Sequence, residues 1–238
     1  MNIGILIICT GKYDVFFKDL FETSEKFFLK EHKKHYFIFT DSTNIELSDN
    51  ISIIRQDFLG WPYDTMFRFK MFNTINEELS KMDFLFFLNA NMLFISEVGE
   101  EVIPNESQDF LCGVNHPGYY DKENLKFPYE RLKESCLSIG PDEGINYFQG
   151  CLIGGKSDVF INMSNILEEK INLDLSNNII PIYHDESALN WYYKDRKPLV
   201  LTPSYAFPES SNLGFEKKII QRNKVNFGGY DFLRQINK

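Results

Sequence analysis

The stretch IGILIIC, residues 3–9, opens the sequence with an almost unbroken run of apolar, isoleucine-rich side chains. Such a run is typical of a strand buried on both faces of a parallel sheet. Residues 14–32 follow, with apolar side chains at helical spacing and Lys and Glu between them. Residues 36–40, YFIFT, predict the next strand. Strand, helix and strand within about forty residues predict a right-handed βαβ unit and therefore an α/β fold.

The same alternation continues along the chain. Further strands are predicted at 51–54, 84–88, 110–114 and 150–155, and further helices at 64–82, 157–171 and 185–195. Asp64 or Thr65 is the expected N-cap of the helix at 64–82, and Ser157 that of the helix at 157–171. Two segments fit neither pattern and are candidate mobile lids, namely 117–146 and the basic segment 216–238.

Length and composition restrict the class of protein. The 238 residues suit one α/β domain, and 43% of them are hydrophobic, which is enough for a buried core. The net charge of −9 argues against a nucleic-acid-binding protein, because phosphate backbones require a basic face. The four cysteines form no CxxC pair, so zinc spacing is absent and reduced thiols are expected. We find neither a signal peptide nor an apolar run of about 18 residues, and we expect a cytoplasmic protein, attached at most peripherally to the inner membrane face.

Two asparagines follow the predicted strand at 84–88, in the sequence FLFFLNANMLF. Asn89 and Asn91 are expected at the carboxyl edge of an open α/β sheet, which is where ligands bind in such sheets. Asparagine is also a common turn former at strand ends. On these residues alone, a binding site and an ordinary turn both remain open.

Three other motifs also allow two interpretations. CTGK (9–12) lacks the full P-loop pattern, and a strand-to-helix turn is favoured. His116, within NHPGYY, is either a ligand-contacting or a structural histidine. Asp185 and Glu186 follow His184 between apolar flanks. Acidic residues often begin a solvated helix, but a carboxylate at the opening of a buried cavity can have a shifted pKa and a chemical role.

Taken in order, the motifs resemble those of glycosyltransferase family 6, which includes the histo-blood-group A and B transferases and α1,3-galactosyltransferase. The resemblance covers nearly the whole chain and is strongest toward the short bacterial members. It rests on ICTGKY, FTDS, GWP with Arg68 shortly after it, FFLNANMLF, HPGYY, GCLIGG, HDESALN and FGGYDFLR.

The resemblance implies a GT-A fold, in which a Rossmann-like nucleotide-binding half with a mixed central sheet joins an acceptor-binding half. Within one domain of residues 1–238, it implies a mainly UDP-binding part (1–95), a mainly acceptor- and donor-sugar-binding part (96–215) and a basic C-terminal lid (216–238). The implied activity is retaining α1,3 transfer of galactose or N-acetylgalactosamine from a UDP-sugar to a galactoside. The acceptor is expected to be an oligosaccharide or lipid-linked glycan, with or without fucose.

The mammalian members carry a DxD motif and need manganese, whereas Asn89-Ala90-Asn91 stands in its place here, as in bacterial relatives. Two carboxylates chelate a hard divalent ion, but amides are poor substitutes and instead hydrogen-bond phosphate or sugar hydroxyls. We therefore expect no divalent metal and no other cofactor. Positive charge for the leaving diphosphate must then come from elsewhere, and Arg222, Lys224 and Arg234 of the basic tail are the candidates.

The resemblance also assigns individual positions. The positions that contact the nucleotide or the donor sugar in the family are matched here by Ile8, Cys9, Thr10, Tyr13, Arg68, Asn89, Asn91 and Asp185. The segment Gln149, Gly150 and Cys151 matches a further donor-contacting segment, with which relatives discriminate the C2 substituent of the donor. Acceptor contacts are implied for His116, Glu186 and Tyr183, which stands where relatives have tryptophan. Glu186 is the implied central carboxylate, which in retaining transfer attacks C1 or stabilises an oxocarbenium-like ion.

The identity of the donor and the activity itself leave alternatives. Glycine at the position of Cys151 leaves room for an acetamide in relatives, so a cysteine favours galactose, although Gln149 offers an amide that an acetamide could pair with. A catalytically weak sugar- or UDP-binding protein on the same fold is one rival function. A hydrolase of the UDP-sugar is another.

Overall fold

The computed structural model describes residues 1–235. Within them the strands are β1 (Asn2–Ile8), β2 (Lys33–Thr40), β3 (Ile51–Arg55), β4 (Phe84–Leu88), β5 (Met92–Phe94), β6 (Leu111–Asn115), β7 (Phe148–Lys156), β8 (Leu199–Leu201), β9 (Phe207–Pro208) and β10 (Ile219–Gln221). Seven of these strands form one mixed sheet in the order β3-β2-β1-β4-β7-β6-β8. Each strand predicted from the sequence is present, and the predicted mixed α/β fold is confirmed.

The helices surround this sheet. The α-helices are α1 (Phe17–Phe27), α2 (Tyr63–Met66), α3 (Arg68–Asn73), α4 (Asn76–Leu79), α5 (Ser157–Ser176), α6 (Asp185–Tyr193) and α7 (Gly229–Leu233). Short 3-10 helices lie at Tyr13–Phe16, Glu100–Val102, Glu106–Gln108, Asn124–Lys126, Pro203–Tyr205 and Lys224–Phe227. The helix predicted at 14–32 begins as a 3-10 turn and ends at Phe27, because Phe28 takes extended backbone angles.

The prediction of one continuous helix at 64–82 is wrong. The segment forms three short helices, and the backbone leaves helical geometry at Phe67 (ψ 14°) and at Ile75 (φ −128°). Near the second break, the Thr74 hydroxyl donates to the Met71 carbonyl, and the Ile75 amide bonds Phe72 three residues back. Side-chain bonds of this kind compete with the helical ladder, which apolar spacing alone does not reveal.

The predicted caps are also wrong. The N-cap position of α2 belongs to Pro62, and Asp64 lies inside the helix, where its carboxylate accepts from the Leu59 amide and the Thr10 hydroxyl. Ser157 is the first residue of α5 rather than its cap, and its hydroxyl donates to the Leu79 carbonyl. In both places the polar side chain bonds a neighbouring segment instead of its own helix.

Strand directions bring three chain segments to one edge of the sheet. Strands β2 and β4 pair with β1 in parallel, so the carboxyl ends of β1 and β4 lie side by side. Strand β7 pairs with β4 in antiparallel fashion, which sets the beginning of β7 at the same edge. The segment after Ile8, the asparagines after Leu88 and the start of β7 near Gln149 therefore meet, as expected for a ligand-binding edge.

Apolar side chains pack on both faces of the sheet. Along β1, Ile3, Ile5 and Ile7 pack on one face and Leu6 on the other, as the alternation of a strand requires. In the part of the chain that the structure describes, no helix has the length and apolar character needed to cross a membrane.

The two candidate lid segments pack in different ways, one around a small core and the other through a second sheet. Within 117–146, Phe127, Tyr129 and Ile139 are buried against Tyr147 and form a small core of their own. In the C-terminal segment, β10 pairs with β5 and β9 in a second sheet, which lays the following residues beside Asn91. Residues 236–238 of the expected lid lie outside the described residues.

Candidate active site

A cleft of about 640 Å³ opens at the edge where β1 and β4 end, and we call it the main cleft. It is lined by Ile8, Thr10, Tyr13, Phe58, Trp61, Asp64, Thr65, Arg68, Phe87, Asn89, Ala90, Asn91, Lys224 and Arg234. Eight residues assigned to nucleotide or donor by the sequence thus share one cavity, although they come from both ends and the middle of the chain.

A second cleft adjoins the first and reaches toward the C-terminal segment. It is lined by Asn89, Asn91, Gln149, Pro208, Glu209, Ser210, Gln221, Arg222, Asn223, Lys224 and Tyr230. The two clefts share Asn89, Asn91 and Lys224, so these residues stand where the cavities meet.

Cys9 takes no side-chain part in either cleft. Its side chain is buried in the core, because successive residues at the end of the strand point to opposite faces. Burial raises the pKa of its thiol. Its backbone carbonyl accepts a bond from the Thr40 hydroxyl, which ties the end of β1 to the end of β2.

Arg68 joins three elements of the site. Its guanidinium lies 2.9 Å from the Asp185 carboxylate, donates to the Gly150 carbonyl, and reaches the Asn89 side-chain oxygen at 3.5 Å. The guanidinium also stacks on the Phe87 ring, 4.1 Å from the ring centre. Arg68 is buried, so it serves both as a wall of the main cleft and as the counter-charge of Asp185.

Two acidic side chains begin α6 next to this arginine. His184, just before them, has a φ of 53°, in the left-handed region that non-glycine residues rarely adopt. Such strain is found where surrounding structure holds a functional segment in place. Burial raises the pKa of Asp185 to about 6, against the opposing effect of Arg68.

The Glu186 carboxylate points toward the start of β7. The Gly150 amide donates to it at 2.8 Å. Burial raises the pKa of Glu186 to about 7, and the charge of Asp185 raises it further against the opposing Gly150 bond. A carboxyl group with a pKa near neutrality, beside a cleft, has the properties expected of a reacting group.

Gly150 is required by close packing. A Cβ atom there would lie 2.7 Å from Asp185 Oδ2 and 3.2 Å from Arg68 Nη1. The absence of a side chain therefore lets the strand, the arginine and both carboxylates meet.

Gln149 lines the second cleft, but Cys151 does not. The Gln149 and Gln221 side-chain amides bond each other reciprocally, at 3.0 and 3.3 Å. Cys151 is buried behind this pair, and its thiol contacts the Gln149 side-chain oxygen at 3.3 Å. Any influence of Cys151 on a ligand therefore passes through Gln149.

His116 belongs to an aromatic cluster near Glu186. Its ring lies 4.9 Å from that of Tyr119 and 5.7 Å from that of Tyr147. Its Nδ1 accepts a bond from the Gly118 amide, and burial lowers its pKa to about 4, so the ring is neutral near pH 7. The histidine is thus a neutral ring held by local contacts.

Tyr147 is the main site residue that sequence reasoning missed. Its hydroxyl is buried and has no hydrogen-bond partner of standard geometry among the described residues. Burial raises its pKa, and the nearby Glu186 carboxylate raises it further. The available signal was its position directly before the strand that begins at Phe148 and carries Gln149 and Gly150.

Tyr183 is exposed on the segment that leads to Glu186. The Glu130 carboxylate, which is buried, accepts from the neighbouring Ile182 amide at 2.8 Å. The Tyr183 amide bonds the Ser187 hydroxyl at 3.0 Å. The 117–146 segment therefore helps to hold the chain that carries Tyr183 and both carboxylates.

Lys224 and Arg234 bring positive charge into the main cleft of this acidic protein. Lys224 Nζ lies 5.2 Å from the Tyr13 ring centre and 4.9 Å from that of Tyr230. Burial lowers its pKa to about 8, and the charges of Arg234 and Arg68 lower it further. The Arg234 guanidinium stacks between the rings of Trp61, at 5.0 Å, and Tyr230, at 4.8 Å.

Arg222 lines the second cleft, but its guanidinium is engaged elsewhere. It lies 2.5 Å from the Asp19 carboxylate on α1 and 4.3 Å from the Phe227 ring centre. The Asn91 side chain donates to the Arg222 carbonyl at 3.0 Å, and the Arg222 amide donates to the Asn91 carbonyl at 2.8 Å. Asn91 thus faces the clefts while it holds the C-terminal segment.

The side chains that follow β4 at this edge are neutral amides. Asn89 and Asn91 offer amides at the strand end. Within residues 1–235, no three His, Cys, Asp or Glu side chains converge in a way that could hold a metal ion.

Comparison with known proteins matches residues 1–230 to the family described as Glycosyltransferase family 6. The chain is 35% identical to the O-antigen biosynthesis glycosyltransferase WbnI of Escherichia coli, over 99% of this chain and 100% of that protein. It is 30% identical to the globoside alpha-1,3-N-acetylgalactosaminyltransferase 1 of Mus musculus, over 94% of this chain and 66% of that protein. It is also 30% identical to the histo-blood group ABO system transferase 1 of Rattus norvegicus, over 87% of this chain and 61% of that protein. The match thus spans the whole bacterial relative and at most about two thirds of these animal relatives.

Proposed function

Since this chain belongs to glycosyltransferase family 6 and has the GT-A type of α/β fold, we propose that it is a retaining α1,3-glycosyltransferase that uses a UDP-sugar without a divalent metal. The donor we propose is UDP-galactose, with UDP-N-acetylgalactosamine as the alternative substrate. The acceptor is a galactoside within a glycan. The observation that carries the proposal is the convergence of the two clefts, two cationic tail residues and the Asp185–Glu186 pair at one sheet edge.

The main cleft suits a nucleoside. Tyr13, Phe58 and Trp61 supply aromatic surface, and the Thr10 hydroxyl and the Asp64 carboxylate supply polar groups within the same cavity. Apolar walls with a few fixed polar groups are typical of small-molecule sites. We therefore assign uracil and ribose to this cleft.

The junction of the two clefts suits a diphosphate. Asn89 and Asn91 provide amides there, and Lys224 provides a cation between two tyrosine rings. Arg234, on the wall of the main cleft, adds a second cation. Positive charge fixed in a partly buried site stabilises a leaving diphosphate more strongly than it would in water. This arrangement supports transfer without a divalent metal.

The second cleft then receives the donor sugar. Gln149 and Gln221 form its wall near Glu186, and Cys151 supports Gln149 from behind. An acetamide at C2 needs more room than a hydroxyl, and the Gln149–Gln221 pair occupies that side. This packing favours galactose.

Glu186 is the proposed central carboxylate. As an anion it either attacks C1 of the sugar or stabilises positive charge there while UDP leaves. The Gly150 amide holds one carboxylate oxygen, and the Arg68–Asp185 pair is packed beside it. Tyr183 and the rings of His116 and Tyr119, which pack against the buried Tyr147, form the proposed acceptor surface, because sugar rings pack well on aromatic faces.

The names of the relatives are consistent with a glycan acceptor. One relative is named for O-antigen biosynthesis and the others for globoside and for histo-blood groups. We propose an acceptor of the same chemical class, a galactose-terminated oligosaccharide, free or lipid-linked.

The test is a screen of UDP-galactose and UDP-N-acetylgalactosamine against lactose and 2′-fucosyllactose in the presence of EDTA. We expect an α1,3-linked product, identified by NMR from its anomeric coupling and linkage. Release of free sugar without transfer to either acceptor would instead indicate a hydrolase. Binding of UDP without turnover of either donor would indicate a binding protein.

A further inference from the structure

We propose that Asn91, Arg222 and Asp19 form a latch that positions Lys224 at the junction of the two clefts. The inference rests on the proposed function in one respect, because it takes Lys224 as a ligand of the donor diphosphate. In this proposal Asn91, the second asparagine of the NAN sequence, and Arg222 are positioning residues. They act by holding the C-terminal segment that carries Lys224.

The first part of the latch is the contact between Asn91 and Arg222. Two bonds join these residues: the Asn91 side chain donates to the Arg222 carbonyl at 3.0 Å, and the Arg222 amide donates to the Asn91 carbonyl at 2.8 Å. They continue the pairing of β10 with β5 by one step beyond Gln221 and Met92. Asn91 is buried, so water competes poorly for these bonds.

The second part is the ion pair between Arg222 and Asp19. The guanidinium lies 2.5 Å from the carboxylate, and the Arg222 side chain is largely buried, with 17% exposed. The Phe227 ring lies against the same guanidinium. Asp19 stands on α1, so the pair ties the C-terminal segment to a helix near the other end of the chain.

Lys224 follows Arg222 by two residues, and contacts of the residue between them fix the backbone on either side of Lys224. The intervening Asn223 bonds the Glu209 carboxylate through its amide at 2.6 Å, and its side chain caps the 3-10 helix that begins at Lys224. With Arg222 and Asn223 both fixed, the Lys224 side chain can enter the cleft between Tyr13 and Tyr230. Charges held in place before the ligand binds cost no reorganisation on binding.

The latch also explains why an amide stands at position 91. A carboxylate there has no hydrogen to donate and would set an anionic oxygen about 3 Å from the Arg222 carbonyl oxygen. Two acceptors at that distance repel each other. An aspartate at position 91 would therefore destabilise this placement of the C-terminal segment.

The test uses the full-length protein and two readouts that do not depend on transfer. The first is hydrogen exchange of the amides of residues 219–222, which reports opening of the segment. The second is the affinity for UDP by calorimetry. The variants are Arg222→Ala, Asp19→Ala, their double variant and Asn91→Asp. Lys30→Ala serves as a matched control. Lys30 lies shortly after α1 and forms an exposed ion pair with Glu97, so this substitution also breaks an ion pair between distant parts of the chain.

We expect Arg222→Ala, Asp19→Ala and Asn91→Asp each to speed this exchange by about tenfold and to weaken UDP binding by several fold, whereas Lys30→Ala changes neither. We expect the double variant to resemble the single ones, because either change breaks the same pair. Unchanged exchange in the Arg222 and Asp19 variants, additive effects in the double variant, or wild-type exchange in Asn91→Asp would overturn the latch.

Lys224→Met separates this inference from the proposed function. It should weaken UDP binding while leaving exchange of residues 219–222 slow. If Lys224→Met binds UDP as the wild type does, the diphosphate role of Lys224 is wrong and the positioning of a ligand by the latch falls with it. If Lys224→Met weakens UDP binding but the latch variants do not, the diphosphate role of Lys224 stands and the latch alone is wrong.

Discussion

The Gly150 amide and the Glu186 carboxylate are joined by a 2.8 Å hydrogen bond, at a residue where a side chain would clash with Asp185. The bond stabilises the anion, whereas burial and the neighbouring Asp185 destabilise it, and burial is the largest influence on the pKa. Glu186 therefore titrates near neutral pH and not near its usual value of 4.5. The balance between the bond donated by Gly150 and the desolvation of the carboxylate sets the pH at which Glu186 becomes charged.

The dependence of kcat/KM on pH should be a narrow bell. Glu186 must be an anion, and its pKa of about 7 sets the acid limb. Lys224 must be a cation, and its pKa of about 8 sets the alkaline limb. Because kcat/KM reports the free enzyme, these are the relevant values. The measurement is initial rate at subsaturating donor from pH 5.5 to 9.5, and Lys224→Arg should abolish the alkaline limb. A flat profile over this range would contradict both assignments.

Glu186→Gln should lower turnover by on the order of a hundredfold or more while UDP binding persists. The substitution keeps the shape and removes the charge that faces C1 in the proposed reaction. Single-turnover rates and calorimetry with UDP measure the two effects separately. Retention of more than about a tenth of wild-type turnover would show that Glu186 is not the central carboxylate.

The same substitution should stabilise the fold at alkaline pH. The folded-state pKa of Glu186 is raised above its unfolded value, so the folded protein binds more protons between about pH 4.5 and 7. Its contribution to stability therefore falls as pH rises through this window and stays unfavourable above it. Glutamine carries no such penalty. We expect Tm of Glu186→Gln to exceed that of wild type at pH 8 and to match it near pH 4, as measured by scanning calorimetry. An equal Tm difference at both values would contradict the burial argument.

Activity should survive EDTA and gain little from added manganese. The physical reason is that Asn89 and Asn91 offer neutral amides, while Lys224 at the cleft junction and Arg234 on the wall of the main cleft supply the positive charge. Raising the salt concentration should reduce activity, because ions screen these cations. The assay compares initial rates after dialysis against EDTA, with and without manganese. Loss of most activity on chelation, followed by its recovery with manganese, would rule out the metal-free proposal.

Cys151→Gly should improve use of UDP-N-acetylgalactosamine relative to UDP-galactose. Cys151 is buried, so its removal acts by letting Gln149 withdraw from the second cleft. A clash of one methyl-sized group is worth about 1–3 kcal/mol, so the shift in relative kcat/KM should be about ten- to two-hundredfold. Gln221→Ala, which frees Gln149 from its partner, should shift preference in the same direction. A wild-type preference for UDP-N-acetylgalactosamine would show that the acetamide has room elsewhere.

The periodicity of the sequence was enough to predict the strands and the sheet edge at which the main cleft opens. The apolar run at 3–9 and the run at 84–88 each form the expected strand, because alternation and burial of a strand are properties of a few consecutive residues. Their parallel pairing then placed Thr10 and Asn89 in one cleft. Resemblance to a family supplied roles that the residue pattern alone left open.

Other features depended on contacts between distant parts of the chain. The helix predicted at 64–82 is broken by side-chain bonds that spacing does not show. Arg222 pairs with Asp19, more than two hundred residues earlier, and no local pattern indicates that partner. The pKa of Glu186 follows from how much water the assembled site excludes. Local sequence determines secondary structure through short-range sterics and periodicity, whereas the charges of this site are set by desolvation and by long-range pairs that exist only after the chain has folded.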